Sequence, residues 1–347
     1  MSVTIAVDMM GGDGSAEPAI LLAGVAEAAY AHSRAKFLLF GDAEKLRRAI
    51  DEGPPDLDPA VIEVRHAPEV VKQDDKPGEV VRKADGTSMA GALATVASGE
   101  ASAVVSCGNT GALMALSLLK LRRMRGVIRP AIAVQWPSVA PGKEVVVLDV
   151  GADVRMEPRN LRQFAAMGAS FAQVGLGVSW PRVGLLNIGA EAHKGKPQLH
   201  EASSLIAEAA TDQDFEYLGF VEANDIPMDV VDVVVTDGFT GNVALKAAEG
   251  TARLIKAWMK EAFKGSPLAQ AGGLLAARAL KQMSENLDPS RVNGGVFLGL
   301  NGAVVKSHGS VDAAGFAAAV SLAARVAEER LIDRVAETLK MAAAAQG

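Results

Sequence analysis

Residues 231–250 read VDVVVTDGFTGNVALKAAEG and carry the clearest sign of the fold. A β-branched run ends at Thr236, an Asp-Gly turn follows, and a helical pattern begins at Val243. Such a strand-loop-helix unit leaves backbone N–H groups free at the start of the helix, where an anion is favoured. The same design recurs along the chain, which predicts a cleft lined by several loops suited to an anion.

The composition is that of an ordinary soluble protein. The 347 residues suffice for one large α/β unit with two lobes, and 49% are hydrophobic against 22% charged. The net charge of −6 argues against general nucleic-acid binding. The single cysteine, Cys107, excludes a disulfide framework and a cysteine-rich metal site, and indicates a reducing cytoplasm. The five histidines show no metal-ligand spacing, so we expect no metal.

The chain shows no pattern of a secretory signal or a membrane span. Its first residues form a short strand-like start without a charged region and a long apolar core. Two uncharged stretches, 101–119 and 163–181, are each broken by turn or polar residues. We therefore interpret each stretch as two elements and a turn, and expect a cytoplasmic protein.

Strand-like runs alternate with helical patterns along the whole chain. The runs VVVLDV (145–150) and VDVVVT (231–236) are continuously apolar over most of their length, as strands buried on both faces are. This alternation predicts a mainly parallel, doubly wound α/β sheet, with residues 1–347 as a single unit. Towards the C-terminus the pattern predicts helices at 243–263, 274–285 and 312–339, with a break at 265–273.

Five loops of small, hydrogen-bonding residues should meet at one end of this sheet. In a parallel sheet the loops that follow the strands share that end, and ligands bind there. Glycine lets the backbone approach a ligand, while Asn and Thr add donors. Each loop alone could be an ordinary turn, but together they predict a phosphate or oxyanion site. The expected binding residues are Asp8, Gly11, Gly12, Asn109, Thr110, Gly111, Gly151, Asn187, Gly189, Asp237, Gly238, Thr240, Gly241 and Asn242.

Cationic side chains follow several of these loops. Lys194 comes after the Asn187 loop, and Lys246 lies in the first turns of a helix. Lys306 and His308 are the better candidates, because they flank a tight Lys-Ser-His-Gly-Ser run at a strand-to-helix junction. The alternative for any one lysine is a solvated surface charge. For Cys107 a nucleophile at a helix N-terminus is less favoured than a small buried residue.

The familiar nucleotide fingerprints fail. After the first strand, residues 12–17 begin like G-x-G-x-x-G but end in Glu17, so support for dinucleotide binding is weak. Residues 189–197 resemble a phosphate-binding P-loop with one residue too many, and Pro197 stands where Ser or Thr must hold magnesium. A nucleoside-triphosphate kinase is therefore disfavoured, and we expect no cofactor.

Seven ordered segments resemble the phosphate acyltransferase family of bacterial phospholipid synthesis, called PlsX. They are IAVDMMGGD, SCGNTGALMA, RPAIAV, LDVGADV, PRVGLLNIG with HKG, DVVVTDGFTGNVALK with EG, and LGLNGAVVKSHGS. The resemblance implies that the protein converts an acyl carrier protein thioester and inorganic phosphate to acyl phosphate and free carrier protein. It further implies a homodimer, peripheral membrane contact, and a membrane-bound glycerol-3-phosphate acyltransferase that accepts the product. The implied fold resembles that of isocitrate and isopropylmalate dehydrogenases and of phosphotransacetylase.

The chain departs from the family pattern at a few positions. Residues 14–17 look like a small insertion, and Cys107 stands where the family usually has alanine, which argues against thiol catalysis. Asp153 replaces a more usual asparagine, and Ala190 stands where glutamate is common. The last two bear on the details of anion binding.

Our hypothesis is that phosphate attacks the thioester carbonyl directly, without a covalent enzyme intermediate. Phosphate is already an anionic nucleophile, and the leaving thiol has a pKa of about 8.5, so neither a strong base nor much acid assistance is needed. The protein then supplies positioning and oxyanion donors. We predict catalytic roles for Asn109, Asn242, Lys306 and His308, with Lys194 as an alternative for the phosphate charge.

Two further surfaces follow from the implied partners. An acidic carrier protein should dock on a basic patch, for which Arg122, Arg123 and Arg125 are candidates; the alternative is a plain helix C-terminus with favourable cations. Residues 251–287 are expected to protrude as a helical segment that combines leucines with lysines and arginines. Such helices can lie on an anionic bilayer or build a dimer interface.

Three rival functions remain open at this point. A dehydrogenase on the same kind of fold predicts nicotinamide reduction and an acidic metal cluster, and the defective fingerprint speaks against it. A phosphotransacetylase would use coenzyme A thioesters in place of carrier protein. A non-catalytic membrane scaffold would not need five loops suited to an anion.

Overall fold

The computed structural model describes residues 3–12, 17–54, 57–191, 193–286, 294–308 and 312–344. The strands of these residues form one sheet of eleven, in the order β3-β2-β1-β4-β11-β10-β5-β6-β9-β7-β8. Their bounds are β1 Thr4–Asp8, β2 Lys36–Gly41, β3 Ile62–His66, β4 Ala103–Ser106, β5 Ala131–Pro137, β6 Glu144–Leu148, β7 Arg182–Leu186, β8 Glu216–Val221, β9 Val233–Val235, β10 Gly295–Leu298 and β11 Ala303–Lys306.

Helices cover both faces of this sheet. Their bounds are α1 Pro18–Ala31, α2 Ala43–Asp51, α3 Pro77–Lys83, α4 Ser88–Ser98, α5 Thr110–Lys120, α6 Pro158–Gly175, α7 Pro197–Ala210, α8 Gly238–Lys264, α9 Pro267–Leu275, α10 Ala277–Asn286, α11 Ala313–Glu328 and α12 Leu331–Ala344. Alternate residues of one strand enter different cores: Val146 and Leu148 of β6 pack on one face, and Val145 and Val147 on the other. Burial on both faces explains why these strands read as continuous apolar runs, and the predicted α/β class with a mainly parallel sheet is confirmed.

The strands run in two opposed blocks, which the sequence did not show. The pairs β11/β10, β10/β5 and β5/β6 are antiparallel, whereas the other pairs are parallel. The loops after β1, β4 and β11 therefore lie at one end of the sheet, and those after β6, β7 and β9 lie at the other. The prediction that five loops share one end is wrong, because the three antiparallel pairs reverse the direction of the second block.

Several helix boundaries also differ from the prediction. The expected break at 265–273 is interrupted by α9, which starts at Pro267 with Ser266 as its N-cap. The single helix expected over 312–339 is two helices, because Arg330 has a φ of 52° between them. Strand β8 and helix α3 were not predicted. Residues 13–16 of the irregular first loop, and Leu287 at the end of the expected protruding segment, lie outside the described residues.

Helices α9 and α10 pack chiefly on each other and on α8. They expose large apolar side chains, with Leu268 84%, Leu274 79% and Leu275 91% accessible. Trp258 of α8 is 65% accessible as well. Single exposed apolar residues are normal, but several on one helical segment mark an interaction surface. In the described part of the chain, no helix has the length and apolarity needed to cross a bilayer.

Candidate active site

A cavity of about 1260 Å³ lies between α8 and the β5–β6 hairpin. Its floor is the start of β10, at Gly294 and Gly295. The pairing register places Lys306 beside Gly295, and Val134 on the other side of Gly295. Two strand spacings, about 10 Å, therefore separate the end of β11 from the β5 wall. This volume exceeds what a phosphate ion alone fills.

The cavity lining is polar around the end of β11 and the first turns of α8. Away from that region it consists mainly of aliphatic and aromatic side chains. The polar lining residues of these segments and of the loops beside them are Gln73, Thr110, Asn242, Lys246, Glu249, Ser307 and His308. Of these, the sequence had singled out Thr110, Asn242, Lys246, Lys306 and His308. It missed Gln73, Glu249 and Ser307. Two of these had a local signal in the sequence, because Ser307 follows Lys306 directly and Glu249 lies three residues after Lys246.

The start of α8 is capped by the protein's own groups. The Asp237 carboxylate accepts from the backbone N–H groups of Phe239 and Thr240 at 3.1 and 3.0 Å and from the Thr240 hydroxyl at 2.7 Å. Gly238 N donates to the Asp153 carbonyl, and Gly241 N to the Asp237 carbonyl. The amides predicted to bind an anion are thus already paired. Asp237 is the N-cap of α8, and the roles predicted for Asp237, Gly238, Thr240 and Gly241 in anion binding stay predictions.

The loop after β6 is closed in the same way. The buried Asp149 carboxylate accepts from the backbone N–H groups of Ile132, Gly151, Ala152 and Asp153 at 2.6–3.1 Å. Burial raises the pKa of Asp149, and these backbone hydrogen bonds oppose the rise. Gly151 lines the cavity beside Asn242, but its amide belongs to Asp149. The 149–153 loop is therefore a structural brace.

Two further predicted ligands hold loops in place. Asp8 accepts from the hydroxyls of Ser88 and Ser106 at 2.6 and 2.7 Å, which joins β1, α4 and β4. The Asn109 side chain caps α5 through Ala112 N at 2.9 Å, and its amide nitrogen donates to the Gln73 and Asp75 carbonyls. Both groups are engaged within the protein, and the binding role predicted for Asp8 and the catalytic role predicted for Asn109 stay predictions.

Glycines of the first loop serve the same packing. A Cβ on Gly11 would lie 2.7 Å from Gly108 N, so only glycine allows the two loops to approach. Gly12 has a φ of 130°, a conformation that side chains disfavour. Cys107 is fully buried, and its thiol donates to the Gly11 carbonyl. These residues shape the loops beside the cavity and do not line it.

The loop after β7 folds onto itself away from the cavity. Asn187 donates to the Lys194 carbonyl at 3.0 Å, and the Lys194 ammonium pairs with Glu191 at 2.8 Å. A Cβ on Gly189 would lie 2.3 Å from the Lys194 side chain. None of Asn187, Gly189 and Lys194 is among the cavity-lining residues. The structure does not bring them to Lys306 and His308.

A cluster of Lys246, Glu249 and His308 lies at the polar end of the cavity. Glu249, which is 7% accessible, accepts from Lys246 Nζ at 2.9 Å and lies 3.1 Å from His308 Nε2. Lys246 Nζ is also 2.7 Å from His308 Nε2. With a proton on Nε2 the ring donates to Glu249, and without one it accepts from Lys246. The imidazole can therefore be held in either protonation state.

The pKa of Glu249 is low although the side chain is buried. Burial raises the pKa, but hydrogen bonds from His308 and Lys246, with their charges, outweigh burial and lower the pKa to about 2. Glu249 is thus a carboxylate at neutral pH and holds the Lys246 ammonium and the His308 ring, whose side chains are 45% and 43% accessible.

This low pKa predicts a pH-dependent stability. The folded pKa of about 2 lies below the ordinary value of 4.5, so the contribution of Glu249 is complete above pH 4.5 and is lost as the pH falls towards 2. The contribution of Glu249 to the free energy of unfolding is at most about 3 kcal/mol, and solvent around Lys246 and His308 reduces it. We expect Glu249→Gln to lower the free energy of unfolding at pH 7 and to lose about half of that effect by pH 3, measured by urea titration.

The control is Glu201→Gln, which changes an exposed carboxylate on α7. A wild-type-minus-Glu249→Gln difference that stays constant from pH 7 to pH 3 would contradict this role of Glu249.

Lys306 and the start of α5 form the facing side of the polar end. Lys306 Nζ donates to the Cys107 carbonyl at 3.4 Å and to the Ser307 carbonyl. Thr110 and Gly111 are the first residues of α5, where backbone N–H groups have no partner within the helix. The buried Ser307 hydroxyl has no hydrogen-bond partner among the described residues, and the Asn242 side chain is exposed to the cavity. The arrangement offers donors and positive charge to a small anion.

The predicted docking arginines lie away from this end. Helix α5 leads from Thr110 at the cavity to Lys120, a distance of about 16 Å. Arg123, beyond that helix, donates to the Val127 and Ile128 carbonyls. Docking of a partner at Arg122, Arg123 and Arg125 stays a prediction. Among the described residues no group of three or more His, Cys, Asp or Glu side chains is placed to hold a metal ion.

Comparisons with solved structures agree with this architecture. A phosphotransacetylase, EutD, from Staphylococcus aureus superposes with a TM-score of 0.61 over 94% of both chains, at 14% identity. A 4-hydroxythreonine-4-phosphate dehydrogenase from Burkholderia phymatum reaches a TM-score of 0.50, at 15% identity, over 94% of this chain and 98% of the other. At such low identity these likenesses show the fold alone.

Comparisons of sequence find relatives with a much higher identity to this chain. The profile of a family described as fatty acid synthesis protein matches residues 3–334. A phosphate acyltransferase of Ruegeria pomeroyi is 51% identical over 342 residues, which cover 99% of this chain and 91% of the relative. One from Paracoccus denitrificans is 52% identical over 345 residues, covering 99% and 92%. With such identity over nearly its whole length, this chain belongs to the phosphate acyltransferase family that its seven segments had indicated.

Proposed function

We propose that the protein transfers a fatty acyl group from an acyl carrier protein thioester to inorganic phosphate, giving acyl phosphate and free carrier protein for phospholipid synthesis. Family membership supports the reaction class. The observation that carries the proposal is one cavity in which a cationic end adjoins a large apolar part. The cationic end suits a phosphate ion, and the apolar part suits an activated fatty chain.

The polar end performs the reaction by positioning and charge. Lys306, Lys246 and the Ser307 hydroxyl hold the phosphate, while the amides of Thr110 and Gly111 and the side chain of Asn242 face the thioester oxygen. A phosphate oxygen forms a bond to the carbonyl carbon, and the oxyanion of the tetrahedral intermediate is stabilised by these donors. The carbon–sulfur bond then breaks and its electron pair stays on sulfur.

His308 serves the leaving group. The thiolate product has a pKa of about 8.5 and takes up a proton near neutral pH. When Nε2 carries a proton, His308 supplies it to the sulfur, and Lys246 then donates to the vacated Nε2. Glu249 accepts from the Lys246 ammonium in both states and from His308 Nε2 while that atom carries a proton, which keeps the two side chains together.

The test is to trap the product. Purified protein is incubated with hexadecanoyl carrier protein and phosphate, and acyl phosphate is captured with hydroxylamine as a hydroxamate. We expect hydroxamate only when phosphate, thioester and protein are all present. A parallel reaction with hexadecanoyl coenzyme A separates the carrier protein from coenzyme A as the preferred donor. No phosphate-dependent hydroxamate from either donor would refute the proposed reaction.

We further propose that the exposed face of α8–α10 contacts a membrane peripherally, since the product is an apolar chain with an anionic head. The face combines Leu268, Leu274 and Leu275 with nearby lysines such as Lys264. The same face also suits the homodimer implied by the sequence. Both contacts bury the same apolar area, so each needs its own measurement.

Leu274→Glu with Leu275→Glu is expected to abolish co-sedimentation with vesicles that contain anionic lipid, because two charges replace buried apolar contact. The control pair, Tyr30→Glu with Leu119→Glu, changes exposed apolar residues elsewhere and should keep binding. Light scattering on the same samples reports the oligomeric state. Vesicle binding that survives the Leu274/Leu275 change would count against membrane contact at this face.

A further inference from the structure

The apolar part of the cavity has a defined direction. Helix α8 contributes Lys246 and Glu249 first, and then Ala252 and Ile255 farther along the helix. Ala248, Ala252 and Ile255 recur at spacings of four and three, so these three share one side of the helix. From Lys246 to Ile255 the helix advances about 13 Å. The lining therefore changes from charged to apolar along α8.

The opposite wall changes in the same sense. Strand β5 and the turn after it contribute Val134, Trp136, Pro137 and Val139. Val134 lies at the level of Lys306 in the sheet, and Trp136 to Val139 continue beyond the end of β11. The hairpin thus extends the cavity past the polar end with an apolar surface.

This wall is fixed before any ligand binds. Val139 N donates to the Pro227 carbonyl at 2.7 Å, which ties the hairpin turn to the segment that follows β8. Lys143 of the same hairpin pairs with Asp229 at 3.0 Å, and Asp229 pairs with Arg182 at 2.9 Å. Ile226, fully buried, closes the wall from below. An apolar arm held open by such bonds is typical of a preformed ligand site.

We propose that this apolar arm binds the hydrocarbon chain of the donor, and that Ala248 and Ala252 set the chain length it accepts. The inference rests on the proposed function, since the reacting carbonyl must sit at Lys306 and His308. Ala248 and Ala252 are one turn apart, half-buried, and both line the arm. Their methyl groups leave space between α8 and the hairpin that a larger side chain would fill.

The first test is a chain-length profile. Ala252→Leu should lower kcat/KM for hexadecanoyl carrier protein by roughly 10- to 100-fold, because it fills space that the distal part of the chain needs. For the octanoyl substrate, whose chain ends before that point, kcat/KM should change less than threefold. Leucine is a good helix former, so α8 itself should persist. The control is Ala257→Leu, at an exposed position of α8 outside the cavity lining.

A second measurement does not depend on turnover. Trp180 and Trp258 are 55% and 65% accessible and can be changed to Phe, which leaves Trp136 as the single indole. Hexadecanoic acid brominated at its terminal carbon should quench Trp136 fluorescence. The same acid brominated beside its carboxyl group should quench it less. Ala248→Leu should weaken the quenching by the terminal bromine.

The outcomes separate the two proposals. Equal losses for both chain lengths in Ala252→Leu, or equal quenching by the two brominated acids, would overturn the assignment of the arm. If the wild type forms no acyl phosphate from any donor, the proposed reaction fails, while the quenching experiment still decides whether a hydrocarbon chain lies in the arm.

Discussion

Lys306→Met is expected to lower kcat/KM for phosphate by roughly 10²- to 10³-fold, the loss typical for removal of one transition-state donor. Lys306 ends β11 at the floor of the cavity and reaches the Cys107 carbonyl beside the start of α5. Its charge therefore lies where the phosphate and the developing oxyanion meet. Initial rates from the hydroxamate assay, over a range of phosphate concentrations, measure the effect.

The division between kcat and KM reports what Lys306 does. A rise in KM for phosphate with an unchanged kcat means that it only holds the ion, whereas a fall in kcat means that it stabilises the transition state. Lys306→Arg should recover part of the loss because it restores the charge. Lys260→Met, an exposed lysine of α8, is the matched control. A Lys306→Met enzyme within twofold of the wild type would remove Lys306 from the site.

Asp149→Ala is expected to lower the free energy of unfolding by about 3 kcal/mol or more. Four backbone N–H groups lose their acceptor, and an unpaired buried N–H costs about 1–3 kcal/mol. Ile132 N lies within the sheet and is the least able to find water. Gly238 and Gly241 of α8 pack directly against Asp149, so the start of α8 should shift as well. Guanidinium unfolding measures the loss.

Asp237→Ala is the matched comparison, because Asp237 also follows a strand and accepts backbone N–H groups. It caps α8 after the end of β9, and loss of such a cap costs about 1 kcal/mol. Should Asp149→Ala destabilise the protein no more than Asp237→Ala, the bracing role of the 149–153 loop would be wrong.

The site shows how far local pattern can lead. A loop such as Asp237–Asn242 or Asn109–Gly111 contains both donors that could bind an anion and acceptors that can form hydrogen bonds with those donors instead. The Asp237 carboxylate accepts from the Thr240 amide that the sequence offered to phosphate, whereas the Asn109 side chain accepts from Ala112 N and donates to the Gln73 and Asp75 carbonyls. Whether a donor binds an anion or is paired within the protein depends on side-chain rotamers and on the neighbouring loop. A sequence pattern carries neither.

Glu249 illustrates the opposite case. From the sequence it is an ordinary helical glutamate three residues after Lys246, and its meeting with His308 spans 59 positions. The meeting requires that α8 cross the face of the sheet from the end of β9 towards the end of β11. That path follows from the opposed strand directions, which were not predicted.

The sequence alone determined most of the elements and the family. Continuous apolar runs such as 145–150 could be satisfied only by strands buried on both faces, and seven ordered segments identified the relatives. The tertiary structure alone decided which loops reach the cavity. Strand direction depends on pairing between distant segments, since the three antiparallel pairs β11/β10, β10/β5 and β5/β6 leave β6, β9, β7 and β8 opposite to β11. Local residue preferences are the same for a strand pointing either way, so the position of Lys306, Glu249 and His308 around one cavity could come only from the folded chain.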